Sequence, residues 1–193
     1  MDTIVLNDSI TGRMTDDDFL KFCLENKDLR IERSSNLKIM IMSPVTSLSG
    51  FYSLEVARQL ANWAILDGKG ISFDSSAGFT LPDRSVLSPD ASWLSREKWN
   101  KLSDDDKDKF APACPEFVIE VRSKADSFEE LQQKMKNWIK NGAELAWLID
   151  PRNEVSFIYR PGQSEEKVEG LNKILFGEGP VAGFELDLSR IKI

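Results

Sequence analysis

EFVIEVRSKADSFEELQQKMKNWIKNGAELAWLI, residues 116–149, is the stretch whose reading decides the fold. Phe117, Val118, Ile119 and Val121 leave no polar face, so 116–121 reads as a strand covered on both sides. From Phe128 to Asn141 the apolar residues Phe128, Leu131, Met135, Trp138 and Ile139 recur at helical spacing, and Gly142 ends the run. Leu145 to Ile149 is a second buried strand, stopped by Asp150-Pro151. A strand, a helix and a strand in that order form a crossover unit, which requires parallel strands and predicts a mixed sheet.

Outward from this unit the pattern stays mixed. Thr15-Asp16-Asp17-Asp18 caps a helix beginning at Phe19, with acids in its first turn. Leu29–Arg33 and Leu37–Met42 flank Ser34-Ser35-Asn36, a β-hairpin. A long helix from about Ser47 to Leu66 carries Leu54, Ala57, Leu60, Ala61, Ala64 and Ile65, and Gly68 and Gly70 end it. Short extended pieces follow at 71–73, 79–81 and 85–88, and a hairpin strand spans Val155–Tyr159. The central sheet is expected to contain 85–88, 116–122, 145–150 and 154–160. The tail Gly183–Leu188 reads as a last strand or docking segment. The alternating charges of residues 104–109 read as a solvated turn. The fold class is α/β (α+β), and residues 1–193 are expected to form one domain.

Composition narrows the chemistry. There is no histidine, which excludes Ser-His-Asp and Cys-His catalysis and the histidine zinc sites. Acid–base work falls to carboxylates, lysine or a metal-bound water. Twenty-five Lys and Arg against 32 Asp and Glu give a net charge of −7, a poor background for non-specific nucleic-acid binding. Residues 121–141 run the other way, with five basic and three acidic side chains. Cys23 and Cys114 fit no CxxC spacing and read as buried free thiols. The opening MDTIVLNDSI lacks a basic, then apolar, leader, and no apolar run reaches membrane-spanning length, so a cytoplasmic protein without a membrane partner is expected.

Two carboxylates stand out. Glu120 lies inside an apolar strand, where an ionised group is costly unless paired, protonated or bound to a cation; its alternative is to face solvent from a half-exposed strand. Asp90 follows Pro89 in SPDASW, and two neighbouring strands could bring it to Glu120; its alternative is an ordinary Pro-Asp turn. Paired, they make a hard oxygen site suited to Mg²⁺. Lys134 lies roughly 60° from Leu131 and roughly 40° from Trp138 around the helix, on the edge of the apolar stripe. It either snorkels to the surface or reaches the carboxylates. Lys136 and Lys140 point further towards solvent. If Lys134 reaches the carboxylates, Lys134→Met should still leave thermal stability near native, because the apolar stem survives.

The strings SPDASW, CPEFVIEVRS, LQQKMKNWIKNGAELAWLIDP and EVSFIYRPG, with the DDDFLKFC helix, the RIER–IMIM hairpin and FELDLSRI, resemble the Uma-type family of restriction-endonuclease-related proteins, abundant in cyanobacteria. The resemblance implies a PD-(D/E)xK nuclease fold, with a mixed central sheet flanked by helices and an acidic Mg²⁺ (or Mn²⁺) site. Asp90 and Glu120 match the family's acidic positions, and the carbonyl of Val121 would be a further metal ligand. Arg122 stands where the superfamily commonly has lysine, and Lys134 matches a migrated helix lysine. Either would orient the attacking water. Glu32 of RIER matches an N-terminal family glutamate and would complete the acidic cluster. The resemblance implies a DNA endonuclease acting as a homodimer, and the alternative is an inactive binding module on the same fold.

Overall fold

The computed structural model describes residues 4–6 and 14–192. Of residues 1–10, read above as lacking a leader, only 4–6 fall within it. In chain order the elements are β1 (Ile4–Val5), α1 (Asp16–Glu25), β2 (Arg30–Arg33), β3 (Ile39–Met42), α2 (Ser47–Asp67), β4 (Gly70–Asp74), β5 (Phe79–Thr80), β6 (Val86–Leu87), β7 (Ala91–Ser95), α3 (Arg96–Lys101), α4 (Asp104–Lys107), β8 (Phe117–Val121), α5 (Phe128–Lys140), β9 (Leu145–Asp150), β10 (Val155–Tyr159), β11 (Glu166–Glu169), β12 (Ile174–Phe176) and β13 (Glu185–Asp187).

The crossover unit sits at the centre. β8 and β9 run parallel, in register from Phe117 opposite Leu145 to Val121 opposite Ile149. Around them the six-stranded sheet has the order β11-β10-β9-β8-β7-β4, and its other pairs are antiparallel. Every residue of β8 and β9 is buried. Alternation then assigns the faces. Phe117, Ile119 and Val121 pack with Trp147 beneath α2 and the C-terminal segment of Phe184, Leu186 and Leu188. Val118, Ala146 and Leu148 pack on the other face against Met135 and Trp138 of α5. Glu120 therefore points towards α5. The C-terminal segment is the expected docking strand: β13 pairs with β12.

The helices begin where their caps dictate. Thr15 and Asp18 form a reciprocal capping box on α1, Thr46 caps α2, and Ser127 caps α5. Gly68 closes α2 with φ 69°, a left-handed geometry that a residue without Cβ adopts freely. The first four residues of the 104–109 charge run form the short capped helix α4, with no buried residue.

Three expectations change. Residues 85–88 do not enter the central sheet: β6 belongs to a second sheet of order β1-β3-β2-β6-β5. The strand beside β8 is β7, which starts immediately after Asp90. Pro89 stands between the two, where its missing N–H ends one ladder before the next begins. On α2 the buried apolar residues are Val56, Leu60 and Ala64, four apart, whereas Leu54 and Ile65 are 68% and 78% exposed. That helix is apolar around much of its circumference, so spacing alone does not orient it. β11, Glu166–Glu169, has a charged, exposed sequence, as an edge strand can. Among the described residues no helix is long and apolar enough to cross a membrane.

Candidate active site

Ser88-Pro89-Asp90 crosses from one sheet to the other and brings a carboxylate to the end of β8. The Asp90 carboxylate accepts from the Val121 N–H at Oδ2, 2.8 Å away, and from the Ser53 hydroxyl of α2 at Oδ1, 3.3 Å away. One residue before Val121, Glu120 projects towards α5. Its Oε1 accepts from the Trp138 indole N–H at 3.1 Å and pairs with the Lys134 ammonium at 2.9 Å. Lys134 and Trp138 are four residues apart and so share one face of α5. The Lys134 ammonium also pairs with Glu32 Oε1 of β2 at 3.0 Å and donates to the Ser88 carbonyl at 3.4 Å. Glu32 Oε1 accepts the Ser88 N–H at 3.0 Å, so the crossing peptide is held from both sides.

The structure thus brings Asp90, Glu120, Val121, Lys134 and Glu32 together. Lys134 takes the inward alternative, with 17% of its side chain exposed, while Lys136 and Lys140 face solvent. Glu32 lies across Lys134 from Glu120, and its bonded oxygen is committed to the ammonium and to Ser88. Arg122 is not part of the cluster. Its guanidinium pairs with Asp150 at 2.7 Å, donates twice to the Asp126 carbonyl and lies 5.4 Å from the centre of the Phe128 ring.

Four participants went unremarked in the sequence. Arg30 stands two residues before Glu32 on the same strand face, a spacing that alternation could have flagged. Trp138 was legible as core but not as a donor. Ser53 and Ser88 carry no sequence signal of their own.

Glu120 and Glu32 are each only 3% exposed. Burial pushes the Glu120 carboxyl up to about 7; Lys134 opposes this, and the charges of Asp90 and Glu32 add to it. Burial also raises Asp90, against the pull of Arg30, the Val121 N–H and Lys134. Burial disfavours the Lys134 ammonium, but Glu120 and Glu32 outweigh it and lift its pKa above the ordinary lysine value. Three carboxylates thus share two nearby cations, Lys134 and Arg30. The cluster is short of positive charge.

The donors suit a hard divalent cation. Glu120 Oε2 carries no hydrogen bond or ion pair among the described residues, and Asp90 Oδ1 has only the long bond from Ser53. Among the described residues no three acidic, cysteine or histidine side chains form a ready-made ligand group; a cation here would draw on two carboxylates and backbone oxygen. The two cysteines lie elsewhere and are unpaired; burial lifts the Cys114 thiol to about 12 and Cys23 to about 11.

Comparison with known proteins agrees with this architecture. A crystal structure of a "putative nuclease belonging to DUF820" from Anabaena variabilis superposes with a TM-score of 0.75 at 19% identity, covering 92% of this chain and 97% of that one. It establishes a shared fold. A cryo-EM structure of a DrdV–DNA complex aligns with 63% of this chain and 12% of that one, at 11% identity and a TM-score of 0.38. No curated protein matches the chain. The model of the Uma2 family, described as "Putative restriction endonuclease", matches residues 16–189, so the chain belongs to that family.

Proposed function

We propose that this protein is a divalent-metal-dependent DNA endonuclease that hydrolyses phosphodiester bonds at the Asp90–Glu120 cluster. The observation that carries the proposal is the buried group of acids short of positive charge, set beside a lysine that is held in place by two of them. Asp90, Glu120 and the carbonyl of Val121 would hold Mg²⁺ or Mn²⁺, which supplies charge neutralisation at a phosphodiester and eases deprotonation of water. The Val121 N–H fixes the Asp90 carboxylate, and Trp138 fixes Glu120. Lys134 keeps its proton at Nζ, where it orients the attacking water and offsets charge developing on the phosphate. Glu32 acts as a positioning residue that keeps this ammonium beside Glu120. Arg122, occupied with Asp150, ties down the loop before α5.

A plasmid-nicking assay in Mg²⁺ or Mn²⁺ tests this. Cleavage by the native protein should be lost in Asp90→Ala and in Glu120→Ala; cleavage unchanged in both removes the proposed site. DNA binding without cleavage under either metal favours the inactive binding module. Cutting both strands calls for two such sites, so we infer a homodimer, which light scattering checks. The unpaired cysteines fit a reducing cytoplasm.

A further inference from the structure

We propose that Arg30 grips the substrate's phosphate beside the Asp90–Glu120 pair. This deepens the nuclease reading above and rests on it, and it adds a recognition residue that the acidic cluster does not itself supply.

The argument turns on which cations are already spent. Lys134 is paired with Glu32 and Glu120, and Arg122 with Asp150. Arg30 has no ion pair among the described residues. Its one bond is a 3.3 Å donation from Nη2 to the Ser88 carbonyl, the same carbonyl that Lys134 reaches at 3.4 Å. Two positive groups therefore converge on one peptide oxygen, and only Lys134 is ion-paired with carboxylates. Arg30 Nε is buried and donates to nothing, and Nη1 has no partner among the described residues. A guanidinium carries five N–H donors, so most of this one's capacity is unmet. An unmet buried donor is costly, so turning towards an acceptor would relieve it.

Position agrees with chemistry. Arg30 shares a strand face with Glu32, which fixes it on the side of β2 that looks at the crossing peptide. Of the charges around Asp90, Arg30 does most to favour the ionised carboxylate, yet it makes no contact with it. It is half-buried, so part of it remains accessible at the margin of the cluster. A planar guanidinium with open donors suits a phosphate, which accepts two parallel N–H bonds.

The test uses the full chain with Ca²⁺ in place of Mg²⁺, and two probes: a 20-base-pair duplex, and dimethyl phosphate followed by phosphorus NMR. Arg30→Gln should weaken duplex binding about tenfold or more and make the slope of log affinity against log salt shallower by about one. It should also abolish the dimethyl phosphate shift. Arg30→Lys keeps a charge beside Asp90, so it should hold the native slope and melting temperature while losing part of the affinity. A slope and affinity unchanged in Arg30→Gln overturn the proposal and leave the nuclease reading intact. Should Arg30→Gln not fold, native binding of both probes by Arg30→Lys overturns it instead. If the native protein ignores the duplex but binds dimethyl phosphate in an Arg30-dependent way, the DNA reading fails and the phosphate contact stands. If the native protein binds neither probe, both fall.

Discussion

Replacing Glu120 by Gln removes a carboxyl whose proton the fold holds more tightly than the unfolded chain does. With a folded pKa of about 7 against an ordinary 4.5, its favourable contribution is complete below about pH 4.5 and lost as pH rises through about 7. The native protein should lose stability across that window through this group. The melting-temperature difference, Gln variant minus native, should therefore grow from pH 5 to pH 8; a flat difference contradicts the raised pKa. At the site proposed above, cation binding should follow the same titration, because the ionised carboxylate would be the ligand. Mn²⁺ should raise the melting temperature more at pH 8 than at pH 6, and much less in Asp90→Asn, as calorimetric scans would show. Lys134→Met has a different outlook from the one its apolar stem suggests. The ion pairs to Glu32 and Glu120 mean that losing the ammonium strands two buried carboxylates, costing roughly 3 kcal/mol or more at pH 8 and less at pH 5, where Glu120 is protonated. Cleavage should fall by an order of magnitude or more. Lys136→Met, exposed on the same helix, should change stability by less than about 0.5 kcal/mol, measured by urea denaturation. Asp90, Glu120 and Lys134 were legible because each breaks a local rule: an acid in an apolar strand, an acid after a proline, a lysine on a stripe's edge. The fate of Arg122 was not, since its partner Asp150 lies 28 residues away.

At the scale of elements, α2 offers the sharpest check. Leu54 and Leu60 fit the sequence stripe equally well, but only Leu60 is buried, 0% exposed against Leu54's 68%. Leu60→Ala should cost about 2–5 kcal/mol and Leu54→Ala less than about 0.5 kcal/mol in equilibrium unfolding. Equal losses would mean that α2 is rotated from its described position. The β8–α5–β9 unit was readable because its apolar runs are continuous and its helix ends at Asn-Gly. β7 was not, because ASWLS is short and mixes small and polar residues with Trp93. Its pairing with β4 relies on close approach: a Cβ on Gly70 would lie 2.2 Å from the Trp93 indole. No sequence period reports such a contact. The sheet change at Pro89 escaped for a related reason, since a proline announces a break in a ladder and says nothing of which ladder follows.

The whole molecule joins a six-stranded mixed sheet and a smaller antiparallel sheet, the chain passing between them from β3 through α2 to β4, from β4 to β5 and from β6 to β7, with α5 packed between their neighbouring residues. We propose that residues 1–193 act as one domain; heating should then give a single cooperative transition seen alike by tryptophan emission and circular dichroism, and two separated transitions would divide it. The mixed-sheet class was legible from residues 116–149 alone, whereas the second sheet was not, because β5 and β6 are two residues long and join it only where Val86 of β6 meets Arg33 of β2. Lys134 meets a glutamate 102 residues earlier in the chain, and Asp90 meets a backbone amide 31 residues later. A chain emerging from the ribosome therefore carries Glu32 and Asp90 well before, and Glu120 shortly before, it has made the ammonium that pairs with Glu32 and Glu120. Until α5 is synthesised and docked, Glu32 and Glu120 lack the ammonium that joins them in the folded chain. Under the proposed function, a nascent or truncated chain without α5 should therefore have no cutting power, held back by the order of its own assembly.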